Sequence, residues 1–238
     1  MSMAVLTASF CSGAALRSRS VSTVVRATVL ELPIVAPSLL ADWHREIREQ
    51  LHLQPGDIEA MRWARTRLRW REHRLCLDSA GRWMQALDLP GVLDASELAL
   101  MASRGTPYHH DGALYADAAF CNVFLSEDGG TDLHFPLSAC RVALVRGTAV
   151  VFDPCQPHAI VKRGAPGFAA ADFAPASMPP QVFLTWEMPI EREDLARSLG
   201  VGFDMAAPSP SPQEGAGVWY KGAPVQLCPA TGRLLHHA

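Results

Sequence analysis

The 238-residue chain contains no C-x-x-C pair; its six cysteines, Cys11, Cys76, Cys121, Cys140, Cys155 and Cys228, stand apart. Zinc ribbons and thioredoxin-like redox motifs therefore have no support, and cysteines this sparse fit a reducing compartment better than a disulfide scaffold. No run of about 18 apolar residues is present, so no segment reads as a membrane-spanning helix. An excess of basic charge is also missing. With 21 Lys and Arg against 24 Asp and Glu, the formal net charge is −3, which argues against nucleic acid or an anionic membrane as a general partner. What the chain does have is an apolar share of 49% beside a charged share of 19%. That suffices to bury the core of one domain with tails.

No acid precedes Glu31, and residues 1–26 hold six serines with Arg17, Arg19 and Arg26. This composition predicts an N-terminal tail of a cytoplasmic protein, with an organelle transit segment as the alternative. A folded domain is expected over 27–204, followed by a Pro/Ser/Gly linker and C-terminal tail over 205–238. Residues 29–35 (VLELPIV) read as a strand. Pro37-Ser38 opens a helix with Ser38 as its N-cap, and Leu39, Trp43, Ile47 and Leu51 form its apolar stripe. Residues 64–71 (ARTRLRWR) alternate. They read as a half-exposed strand with Arg65, Arg67, Arg69 and Arg71 on a solvated face, the sharper alternative being a face for an anionic substrate or nucleic acid.

From Leu98 to Met188 short apolar runs are punctuated by Gly105, Gly129-Gly130, Gly147 and Pro154, with no helix-length periodic segment between them. Short strands with tight turns predict an α+β chain with a mainly β core, a barrel or jelly roll rather than a parallel βαβ sheet, with helices flanking it on the N-terminal side.

Within this block lies an H-x-D pair, His109 and Asp111, on one face of the expected strand, with His110 on the other. His158 follows in FDPCQPHAIV. Two histidines and one carboxylate are the ligand types of the facial triad in non-haem Fe(II) oxygenases: neutral imidazoles suit iron, the carboxylate offsets part of its charge, and three positions stay open. The bland alternative is a strand whose His and Asp simply face solvent. His134 reads as a core or edge histidine.

The order of elements resembles the Fe(II)/2-oxoglutarate-dependent oxygenase superfamily, in its prolyl-hydroxylase-like branch. Gly105–Tyr108 (G-T-P-Y) precedes H-x-D. Asn122–Leu125, Gly129-Gly130 with Phe135, Gly147, Val150–Phe152, His158 and the strand 181–186 then follow in that family's sequence. The resemblance spans about residues 29–190, its specific motifs 105–186. It implies a double-stranded β-helix and Fe(II) held by His109, Asp111 and His158. It also implies 2-oxoglutarate and O2 as co-substrates and hydroxylation of a C–H bond in a peptide side chain, amino acid or small metabolite. The chain departs from the family where an Arg or Lys would hold the far carboxylate of 2-oxoglutarate: here stands Gln181. Met101 and Phe124 occupy places where the family often has tyrosines. A buried carboxylate needs a cation. Arg163 and Lys162, past His158, are the expected substitutes, and Tyr108 joins Gln181 in the expected co-substrate set. A non-catalytic metal- or ligand-binding β-helix protein, and a cupin-like metal enzyme not using 2-oxoglutarate, stand as alternatives.

Overall fold

The structure, a computed structural model, describes residues 6–13, 15–174, 178–204 and 216–235. Most of the expected linker, residues 205–215, lies outside them.

In chain order the strands are β1 (Leu6–Ser12), β2 (Ala15–Ser20), β3 (Val25–Val29), β4 (Ile58–Met61), β5 (Glu97–Ser103), β6 (Thr106–His109), β7 (Ala118–Phe124), β8 (Thr131–Phe135), β9 (Cys140–Ala143), β10 (Thr148–Phe152), β11 (His158–Lys162), β12 (Gln181–Pro189) and β13 (Gly217–Tyr220). The helices are α1 (Pro37–Glu46), α2 (Trp63–Arg69), α3 (His73–Ala86), the one-turn α4 (Gly112–Tyr115) and α5 (Glu193–Leu199). The chain is α+β and mostly sheet. Two antiparallel sheets form its centre: six strands in the order β3-β10-β7-β12-β5-β4, and four in the order β6-β11-β8-β9. Among the described residues no helix is long and apolar enough to cross a membrane.

The inner strands β10, β7 and β12 of the six-stranded sheet are buried on both faces, which is why they read as apolar runs rather than alternating ones. Alternation still decides where each side chain goes. Cys121 and Val123 of β7 and Val182, Leu184 and Trp186 of β12 pack with Leu39, Trp43 and Ile47 of the α1 region and with Cys76, Ala80 and Met84 of α3. Phe124, Val150, Phe152 and Phe183 turn the other way and meet Leu133, Phe135 and Ile160 of the smaller sheet. Gly147 ends the turn before β10 at φ +89°, and a Cβ there would stand 2.2 Å from the Leu30 carbonyl oxygen. That close approach leaves room for no other residue.

Several local expectations are corrected. Residues 64–69 are helical rather than strand, and Trp70 caps that helix in an extended conformation. Alternation in that stretch is incidental: Leu68 is 82% exposed, while Thr66 and Trp70 are buried, and Trp63 and Trp70 pack edge to face. Ala, Arg and Leu are good helix formers, and Thr66 is the only β-branched residue there. Arg69 pairs with Asp42 of α1. Replacing Arg65 and Arg67 by Gln should change stability by no more than about 0.5 kcal/mol in urea unfolding. The strand expected over 29–35 lies earlier, at Val25–Val29. Helix α1 begins with Pro37 at its first position and Ala36 as N-cap, so Ser38 lies inside it and makes no cap hydrogen bond; Pro fits there because the first helical N–H has no partner to lose.

Within residues 1–26, expected as a tail, Leu6–Ser12 and Ala15–Ser20 are strands. β1 pairs with β2 on one side and β13 on the other, and β3 pairs with β10. The C-terminal segment also packs down: Tyr108 N–H donates to the Pro229 carbonyl and Phe168 N–H to that of Ala230, both at 2.9 Å.

Candidate metal centre

His109 ends β6 and His158 begins β11, and the two are direct cross-strand partners. Asp111 lies just past β6 as the N-cap of α4, where its backbone N–H donates to the Pro154 carbonyl at 2.9 Å. The three side chains converge. His109 Nε2 is 3.6 Å from Asp111 Oδ1, His158 Nε2 is 3.5 Å from Asp111 Oδ2, and one ligand atom from each lies within 4.8 Å of the others. Each histidine is oriented by its own backbone. His109 Nδ1 meets the Pro107 carbonyl at 2.8 Å and His158 Nδ1 that of Gln156 at 2.9 Å. A carbonyl can only accept, so both Nδ1 atoms carry the proton and both Nε2 lone pairs face Asp111. Burial, with His109 alongside, lowers His158 to about 4, so its imidazole is neutral near pH 7. This donor set fits a divalent metal with open positions, and Fe(II) is among the metals that take a two-His, one-carboxylate face. His110 points elsewhere, with Nε2 3.3 Å from the Val225 carbonyl.

The triad lines a cavity of about 410 Å³ between the sheets, walled by Met101, Phe124, Leu133, Phe152, Ile160 and Phe183, with Asn122, Thr106, Thr185, Tyr115 and Glu187 among its polar groups. Met101 and Phe124 both line the cavity and present only apolar surface to it.

The expected co-substrate residues are not brought to it. Tyr108 sits on the opposite face of β6, in a small cluster with Ala159, Val161 and Phe168, and its hydroxyl meets His134 Nδ1. The strand alternation that aims His109 inward turns Tyr108 outward. Arg163 lies past the end of β11 and forks onto Asp128 (2.9 and 3.0 Å) and Asp132 (2.9 Å). Lys162 is exposed and pairs with Asp172 at 3.2 Å. Neither lines the cavity, nor does any other Lys or Arg among the described residues. Gln181 opens β12 as expected and is buried, its amide nitrogen and oxygen both without partners, but it too lies outside the cavity lining. The residues present therefore fit the iron and do not fit the far carboxylate of 2-oxoglutarate, for which the cavity offers no cation.

Sequence reasoning missed two groups here. The first is Arg19, 0% exposed, whose guanidinium forks onto the equally buried Asp153 at 2.6 and 2.9 Å. It also donates to the Ala116 carbonyl at 2.6 Å, just after α4. Asp153 in turn accepts from the Ser22 and Cys155 amides. Arg19 thereby ties together the segments that deliver Asp111 and His158. The second is the pair Asn122 and Glu187, which the alternation of β7 and β12 could have revealed: Asn122 lies between inward Phe120 and Phe124, and Glu187 continues the series Gln181, Phe183, Thr185.

No protein-family model matches the chain, and no curated protein matches it in sequence. Solved structures similar to it include the viral collagen prolyl hydroxylase vCPH from Paramecium Bursaria Chlorella virus-1, as a truncated form and as its 2OG complex. Identity is 12% for both, with TM-scores of 0.39 and 0.40; the match covers 69% of this chain and 89% and 94% of those chains. A Pseudomonas putida prolyl-4-hydroxylase is 18% identical at a TM-score of 0.39, over 69% of this chain and 92% of that one. At this identity and overlap neither activity nor ligands pass from them to this chain.

Proposed function

We propose that the chain is a mononuclear non-haem iron oxygenase on a double-stranded β-helix scaffold, acting on a small molecule or a peptide side chain. The observation that carries this reading is the convergence of His109, Asp111 and His158 on the wall of an apolar cavity, with both imidazoles held as Nε2 donors. The interleaved strand orders, β10-β7-β12-β5 facing β6-β11-β8-β9, support the jelly-roll scaffold.

Iron bound there would supply oxygen activation next to a substrate C–H bond. The chain's own residues do the rest. Pro107 and Gln156 carbonyls fix the two rings. Asp111 gives one negative charge. Phe152, with its ring 5.1 Å from that of His158, and Leu133 and Phe183 give the cavity an apolar wall beside the triad.

The finer reading, 2-oxoglutarate as co-substrate, is favoured by the order of the motifs and opposed by the cavity's lack of a cation. The second observation favours a metal centre whose co-ligand needs no far carboxylate. Anaerobic titration with Fe(II) should show one bound equivalent. Addition of 2-oxoglutarate or of pyruvate, which lacks the far carboxylate, should then give metal-to-ligand charge-transfer bands with affinities equal within about threefold, because a charge-assisted bond worth roughly 1.5–3 kcal/mol is missing. A tenfold or greater preference for 2-oxoglutarate would reinstate it as the co-substrate. Failure to bind one equivalent of iron would remove the iron-oxygenase reading.

A further inference from the structure

The cavity that holds the triad is acidic at a second place. Glu187 reaches it from β12, and the register sets Glu187 directly beside Glu97 of β5 and across from Phe120 of β7. Two carboxylates side by side on neighbouring strands repel each other. Burial, together with Glu97 and Asp117, pushes the Glu187 carboxyl up from its usual range. None of the ion pairs among the described residues includes Glu187 or Glu97, while Asp117 is in no ion pair but is attracted by Arg19.

An independent observation comes from the same wall. Asn122 is 7% exposed, lines the cavity one register step from Glu187 (opposite Thr185), and its Oδ1 has no hydrogen-bond partner. A buried acceptor without a donor is costly. The carboxylate of Glu187 and the Asn122 oxygen lack the same thing, N–H donors. Phe120 and Tyr115, edge to face at 4.9 Å, add aromatic rings beside them, and ring faces attract cations. The rest of the wall is apolar. The triad end has the reverse demand, since Asp111 cancels only part of a divalent ion's charge and that end receives electron-pair donors.

We propose that the substrate is an organic cation, an ammonium or guanidinium group on an aliphatic chain, with Glu187 and Asn122 accepting its N–H groups while the chain extends toward the triad. This rests on the iron-oxygenase reading for its chemistry, though not for the binding it predicts. The binding test uses n-pentylammonium, pentanoate and 1-pentanol as probes of one length. Saturation-transfer NMR on the metal-free protein reads their affinity, and proton relaxation in the Mn(II)-loaded protein reads their approach to the triad. Pentylammonium should bind at least about tenfold more tightly than either other probe, as expected for a charge-assisted hydrogen bond. Glu187→Gln should erase that preference while leaving Mn(II) binding and the circular dichroism spectrum unchanged, and Asn122→Leu should reduce it. Equal or better binding of pentanoate, or a preference that survives Glu187→Gln, overturns the proposal even where Mn(II) binds. Ammonium preference without Mn(II) binding upholds the cation site and instead removes the iron reading.

Discussion

Arg19→Met is expected to destabilise the protein by about 3–5 kcal/mol, the cost of leaving one partner of a buried ion pair charged and alone. Asp153 would keep its two amide donors from Ser22 and Cys155, but at 0% exposure it has no access to water for the charge that remains. In a chain of this size that corresponds to a fall of roughly 10 °C in Tm. Urea unfolding of Arg19→Met, of Asp153→Asn and of the double variant is the measurement. The double variant should recover part of the loss, because it removes both charges together. A loss below about 1 kcal/mol in Arg19→Met would show that the pair does not form as described. Arg19→Lys separates position from charge. Lysine keeps the charge but cannot fork onto both Asp153 oxygens while also donating to the Ala116 carbonyl. The segments that carry Asp111 and His158 should then loosen, and Fe(II) affinity should fall about 10- to 100-fold in a folded protein, the range for losing an outer partner of metal ligands.

That Arg19 escaped sequence reasoning has a physical reason. Its partner lies 134 residues away, and a stretch rich in serine and arginine has the same composition whether it is a loose tail or an edge of a sheet. The grouping of His109, Asp111 and His158 was legible because a metal-ligand pattern restricts residue type and because the turns around it, at Gly105, Gly129-Gly130 and Gly147, punctuate strands wherever they occur. The regular structure of the block from 98 to 188 is indeed almost all strand, since short apolar runs between glycines leave little else to form. Arginine alternation over 64–71 misled because period two is also met by chance in eight residues rich in good helix formers; what decided was Trp70, buried against Trp43. The expected co-substrate anchors stand outside the cavity for a different reason. Arg163 and Lys162 were chosen for nearness to His158 in sequence, whereas Asp128, Asp132 and Asp172 hold them outside the cavity. Distance along a strand says little about which side of its end a long side chain takes.

Acidification should destabilise the metal-free protein through His158, and a metal should oppose it. The unfolded chain takes up a proton on this histidine below about 6.5, whereas burial lowers the folded value to about 4. Unfolding therefore binds a proton between those values, and stability falls as pH falls across that window. It is fully present above about 6.5, and below about 4 this residue causes no further loss. With each pKa unit worth about 1.4 kcal/mol, the whole loss is about 3 kcal/mol. Urea unfolding at steps between pH 7.5 and 4 reads it, and His158→Gln, which cannot take the proton, should flatten that part of the curve. Fe(II) occupies the same Nε2 lone pair that the proton would take, so iron should shift the fall to lower pH, while iron affinity itself drops as His158 is protonated. His158→Ala should lower Fe(II) affinity by more than about 100-fold, since even an outer partner of a ligand is worth 10- to 100-fold. His110→Ala should retain iron, because that ring turns to the Val225 carbonyl. A pH dependence unchanged in His158→Gln would assign the acid sensitivity elsewhere, and equal iron loss in the His110 and His158 variants would dissolve the triad.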